Sequence, residues 1–262
     1  MAAATFWKPT NFTLLTAAVV LSPLPFGGVT GWFAAAFAAG MGLIALFWAS
    51  ASMRGLIRSR PGPPTVVLAG ILYFLVLAWC LGQALVPLPP DFANPLWREA
   101  GPVLNRQVPS VVSINPEAGI QGVMRLAGYA LVFFLSFQYA TDGRRAQMLL
   151  RALVIVGALY ALYGLFSTIT GSSTVLWYDR SFEMENVSAT FPNRNAFANY
   201  AALCLLAALA LLYRRRLRPG DLPSGWRTAI ITVVSYFLGR SLWLMSAALI
   251  LFAAILMTNS RA

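Results

Sequence analysis

The chain has 262 residues, of which 59% are apolar and 10% charged, with a mean hydropathy of +0.70. So few charged side chains cannot clothe a water-soluble globule of this size, and the chain must use lipid as its solvent. The net charge of +11 and pI near 10.5 do not point to nucleic acid, because the 19 basic residues sit mainly in short links between apolar runs instead of on one soluble face.

There is no histidine, and the two cysteines, Cys80 and Cys204, are isolated in apolar runs. Imidazole chemistry and a disulfide framework are thereby excluded, and neither a metal nor a cofactor is expected. Any chemistry runs on Arg, carboxylates and amides.

A hydrocarbon core of ~30 Å calls for roughly 20 apolar residues per helix. In chain order the runs that answer to this are near 11–24, 29–51, 65–86, 121–140, 148–170 and 195–213, with a seventh from 228 to 257. The first run ends in Ser22-Pro23-Leu24-Pro25-Phe26-Gly27-Gly28 and lacks a small-x-small cleavage site, so it reads as an uncleaved helix followed by a tight turn. The second carries a ladder of small residues, Ala34, Ala38 and Gly42, that permits close helix approach. The last run is overlong and holds Arg240 near its middle, which would cost ~2.5–3.5 kcal/mol at the bilayer centre. An interfacial lead-in from Thr228 to Arg240 and a span over 241–257 is the cheaper solution. The expected architecture is one all-α transmembrane bundle of about seven spans occupying 1–262.

With the amino terminus in the cytoplasm, Lys8, Arg54, Arg58, Arg60, Arg144, Arg145, Arg151, Arg214, Arg215, Arg216, Arg218 and Arg227 fall inside. Arg98, Arg106, Arg180, Arg194 and Arg261 fall outside. This bias sets the topology. The inner links are short and basic, whereas the outer segments, 87–120 and 171–192, are long, mixed in charge and aromatic, which places recognition on the outer face.

The most informative stretch is Ser188-Ala189-Thr190-Phe191-Pro192-Asn193-Arg194-Asn195-Ala196-Phe197-Ala198-Asn199-Tyr200, leading from an outer loop into the sixth span. Two amides flanking an Arg at a helix start have two readings. Asn193, Arg194 and Asn195 form a clamp for a diphosphate, using the unpaired N–H groups of the helix end and a planar guanidinium. Alternatively an Asn caps the helix while Arg194 reaches for headgroup phosphates.

This stretch resembles the G-T-F-x-N-x-N signature of the O-antigen ligase and polymerase family. The Ser22–Val29 turn, Ser113-Ile114-Asn115-Pro116-Glu117, Gly157–Gly164 and the terminal Thr258-Asn259-Ser260-Arg261, similar to a T-x-S-R element, agree with it. The resemblance implies the first half of a superfamily C membrane glycosyltransferase in the bacterial inner membrane. Such an enzyme is metal-independent and moves a glycan from an undecaprenyl-diphosphate carrier to a sugar acceptor such as lipid A core or a repeat unit.

On that reading Arg194 and Arg261 are the catalytic cations, and Asn193, Asn195, Arg180 and Ser260 contact substrate. Two departures stand out: Asn186 where the family carries an Arg, with Arg180 the nearest basic alternative, and Ala189 where it carries Gly. The family's second half, with a His-bearing outer loop, has no counterpart in these 262 residues, so the proposed base is missing and the chain reads as an amino-terminal part that is truncated, split or degenerate. Glu183 and Glu185 are the nearby acids. A permease for a lipid-linked substrate and a non-catalytic membrane subunit are the alternatives.

Overall fold

The computed structural model describes residues 2–57, 59–89, 91–105, 107–172, 174–179, 186–215, 225, 227–228, 239 and 241–260. Among them the regular secondary structure is helical except for one two-residue antiparallel pair. The helices are α1 (Ala2–Leu21), α2 (Gly31–Met53), α3 (Pro64–Leu85), α4 (Leu96–Leu104), α5 (Pro116–Ala140), α6 (Gly143–Ile169), α7 (Arg194–Arg214) and α8 (Leu242–Met257). Between α6 and α7 lie β1 (Thr174–Val175) and β2 (Tyr178–Asp179).

Five helices, α2, α3, α5, α6 and α7, are long and apolar enough to cross a membrane, and they make this a multi-pass membrane protein. The apolar stretches Thr10–Leu21 of α1 and Leu242–Met257 of α8 are shorter. At about 1.5 Å per residue the 16 residues of α8 extend about 24 Å. Apart from Thr228 and Gly239, the lead-in expected over 228–240 lies outside the described residues. The helices overrun the apolar windows where polar residues cap them. In α6 the Asp142 carboxylate accepts the Arg144 N–H, and the helix starts at Gly143 instead of near 148.

The chain divides into two compact units, Met1–Ala18 with Thr30–Gln138, and Val19–Val29 with Tyr139–Ala262. In the first unit, Ala84 is the buried residue of α3, while Leu68, Phe74 and Trp79 are exposed, as befits a helix bathed in lipid. Side-chain bridges join its elements. Trp48 of α2 meets Phe134 of α5 edge-on at 5.1 Å, the Tyr73 hydroxyl of α3 donates to the Leu126 carbonyl of α5, and Gln138 pairs reciprocally with the Arg60 backbone. The nine-residue α4 sits in the segment between α3 and α5 and was not expected from the sequence.

The second unit is a tight three-helix bundle in which α6 and α8 run together and α7 runs against them. One core layer joins Tyr160, Ala161, Val187, Phe197, Ala201, Cys204, Leu251 and Ala254. A second joins Val154, Ala158, Ala207, Ala208, Leu211, Leu244 and Ala247. Small residues make the close approach possible: a Cβ placed on Gly157 would lie 2.5 Å from Cys204 Sγ, so the Cys204 side chain of α7 packs directly against the α6 backbone there.

Candidate functional site

The site grows from the start of α7. A helix amino terminus has four N–H groups without intrahelical partners, and here Asn193 caps it, its Oδ1 accepting the Asn195 N–H at 2.8 Å. Arg194 is the first residue of the helix and half-buried, between the exposed Asn193 and Asn195. The carboxyl end of α8 arrives beside it. Ser260 Oγ donates to Asn195 Oδ1 at 2.9 Å, linking positions 65 residues apart.

The end of α8 is itself capped by its surroundings. The Val187 N–H donates to the Met257 carbonyl at 3.2 Å, satisfying one of the carbonyls the helix leaves open. Thr258 is fully buried, and its Oγ1 accepts the Ser260 N–H. Asn259 adopts a left-handed conformation (φ 47), which its short amide tolerates just past a helix, and its Nδ2 donates to Asn186 Oδ1 at 3.0 Å.

The segment before α7 is fixed from below by the first Pro/Gly turn and by α6. Thr190, 1% exposed, donates through Oγ1 to the Pro23 carbonyl at 2.8 Å. Gly27 (φ +65) lies so close to Phe191 and Pro192 that a side chain there would meet them at 3.0–3.1 Å, on a backbone conformation that already favours glycine. Ala189 is also left-handed (φ 48) and rests against Gly164, whose missing Cβ leaves it room. Phe191 packs on Tyr200 and Phe197, with ring centroids 5.3 and 5.8 Å apart, and the Tyr160 hydroxyl donates to the Val20 carbonyl.

Of the residues expected from sequence, Asn193, Arg194, Asn195 and Ser260 are brought to one place. Asn193 serves as the cap, and Asn195 offers its side chain to Ser260 instead of to the helix end. Arg180 and Arg261 lie outside the described residues, as do Glu183 and Glu185. Sequence reasoning passed over Asn186, Asn259 and Thr258 as site members. Their signal was a cluster of Thr, Asn and Ser directly after an apolar run, the mark of a helix end that needs polar partners.

Chemically, the arrangement presents amide and hydroxyl groups, a guanidinium and a helix amino terminus on one edge, all suited to anionic oxygens. Among the described residues there is no group of three or more His, Cys, Asp or Glu side chains able to hold a metal ion.

Fold and site together define a multi-pass helical membrane protein with a polar, guanidinium-bearing edge at one end of a three-helix bundle. No family model matches the chain, and neither a curated protein nor a solved structure is similar to it.

Proposed function

We propose that this protein is the amino-terminal part of a glycosyltransferase of the O-antigen ligase and polymerase type, acting on a glycan linked to an undecaprenyl-diphosphate carrier. The observation that carries the reading is the Ser260–Asn195 hydrogen bond. It joins the two sequence elements that prompted the resemblance, the Phe191–Asn195 stretch and the Thr258–Arg261 stretch, at the amino terminus of α7. The turn at 22–28 and the Gly157–Gly164 stretch of α6 contact the same segment, through Pro23, Gly27 and Gly164.

In this reading α1 and α8 also cross the bilayer, the amino terminus is cytoplasmic, and the site faces the periplasm at the level of the headgroups of the bacterial inner membrane. The acceptor is a sugar hydroxyl, of lipid A core or of a further repeat unit. Its oxygen bonds to the anomeric carbon as the bond from that carbon to the diphosphate oxygen breaks. The carrier diphosphate leaves with the electron pair, and the hydroxyl proton passes to the leaving diphosphate or to water. Arg194, with Arg261 and Arg180 as further cations, stabilises the charge that grows on the leaving oxygens, while Asn193, Asn195 and Ser260 hold the end of the helix and the substrate.

The test is glycan transfer in proteoliposomes that hold this chain together with the second half of such an enzyme, supplied with the undecaprenyl-diphosphate-linked donor and a sugar acceptor. Arg194→Ala and Arg194→Lys are both expected to lose at least about 100-fold in rate while inserting normally, because an ammonium cannot reproduce the bidentate fork. Full activity in either variant refutes the role. Movement of the donor across the bilayer without bond transfer would point to the permease reading instead.

A further inference from the structure

The opposite end of the three-helix bundle carries a second polar surface, one that the transfer chemistry does not use. α6 begins there and α7 ends there. Val154 and Leu150 of α6 share a core layer with Leu211 and Leu212 of α7 and with Leu244 and Trp243 of α8, so the first turns of α6 and the last turn of α7 lie at one level. Arg144, Arg145 and Arg151 come from α6, and Arg214 and Arg215 from the end of α7.

Against these five guanidinium groups the described residues of the same helix ends offer one carboxylate, Asp142. That carboxylate already accepts the Arg144 N–H and pairs with Arg145 Nε at 3.6 Å. Arg145 also lies over the Tyr139 ring at 5.3 Å, and Arg215 over the Trp243 ring at 6.0 Å. An Arg above an aromatic ring beside an apolar bundle is an arrangement of the membrane interface, where the ring sits at headgroup level.

Arg151 is the most telling member. It is half-buried one residue from the Val154 layer's Leu150; its Nε is buried without a hydrogen-bond partner, and its Nη2 has only a long 3.3 Å bond to Gln147. A permanently charged group with a desolvated donor is costly unless an anion completes it.

We propose that this end of the bundle is a binding site for the headgroup of an anionic phospholipid. The phosphate accepts from Arg151 and from Arg144 or Arg214 at the rim, while the acyl chains lie along the apolar flanks of α6 and α7. The two ends of the unit would then hold two different lipid phosphates. This site does not depend on the transferase reading and stands if that reading fails.

The test is the boundary-lipid preference of the whole protein in phosphatidylcholine vesicles containing a small share of spin-labelled phosphatidylglycerol. The wild type is expected to enrich the labelled lipid over a spin-labelled phosphatidylcholine. Arg151→Gln with Arg214→Gln should weaken that enrichment by about fivefold per arginine near the surface. Arg98→Gln, on α4 in the other unit and already paired with Asp91 at 2.8 Å, should leave it unchanged. Should the double variant fail to insert, the exposed Arg144→Gln is read the same way, with a smaller drop expected. Equal association of both labelled lipids with the wild type, or undiminished enrichment in the arginine variants, overturns the proposal. So does displacement of the labelled lipid by inorganic phosphate as effectively as by unlabelled phosphatidylglycerol, which would mark a site for free phosphate.

Discussion

The two ends of the α6–α7–α8 unit are built from different chemistry on the same helices. At the start of α7 the polar groups satisfy one another: Asn193 caps the helix, Ser260 donates to Asn195, Asn259 donates to Asn186, and Val187 closes the Met257 carbonyl. At the other end five arginines gather, Asp142 contacts Arg144 and Arg145, two aromatic faces lie under Arg145 and Arg215, and a buried Nε of Arg151 has no hydrogen-bond partner. The first end is a set of amide and hydroxyl bonds that fixes geometry, as the proposed transfer would require. The second is a surplus of positive charge that fixes only depth and the sign of what it touches. Mutations should therefore cost shape at one end and lipid preference at the other.

The largest effect on folding is expected between the two ends, where the bundle has no slack. A Cβ on Gly157 would fall 2.5 Å from Sγ and 2.7 Å from Cβ of Cys204, a contact that neither helix backbone can relieve by rotating a side chain. Gly157→Ala should destabilise the bundle by about 2–3 kcal/mol, at the upper end for overpacking. Adding Cys204→Gly should recover most of that loss. Thermal unfolding in detergent checks both; an unshifted midpoint for Gly157→Ala would mean that the helices sit farther apart than described.

A smaller effect belongs to the polar end. Ser260→Ala removes the donor to Asn195 across a partly exposed contact, so the stability cost should be near 1 kcal/mol or less. On the transferase reading, and with the second half present, its effect on glycan transfer should be larger than that cost implies, several-fold in rate, because the bond joins the end of α8 to the residue after Arg194. A change in midpoint with no change in rate would reduce the Ser260–Asn195 bond to a structural tie and leave Arg194 to stand on its own.

The sequence made five of the seven expected spans legible because hydropathy records contact with lipid. It was less informative about where helices stop, because caps are polar. α5 begins at Pro116, five residues before the apolar run, on signals that were present: Asn115 Oδ1 accepts the Ala118 N–H, Pro116 opens the helix and Glu117 lies in its first turn. α4 escaped notice because nine residues with Pro102 inside and Pro95 ahead carry no period long enough to read. The start of α7 was legible in Asn193-Arg194-Asn195, one residue of which does act as the cap. The pairing of Asn195 with Ser260 was not, since nothing in a single sequence links side chains across 65 residues until helix packing brings them together.

The smallest predicted effect distinguishes strain from packing at the edge of the site. Ala189 stands where the resemblance expects glycine, and its backbone is left-handed at φ 48, a conformation costing an L-residue about 1–2 kcal/mol. Its methyl is buried, the residue being 2% exposed, and burying one such group contributes about 0.8 kcal/mol. Ala189→Gly releases the first term, loses the second and frees the unfolded chain, so the net change in stability should lie within about 0.5 kcal/mol of zero. Gly164→Ala, by contrast, would push a methyl to 3.0 Å from Val187 and 3.1 Å from Ala189 Cα, and should destabilise clearly. In the double variant the bulk of Ala189 Cβ is gone but its Cα remains, so only part of that loss should return. Full recovery would show that side-chain bulk alone, and not the close approach of the backbone, sets the spacing between α6 and the segment that leads into Arg194.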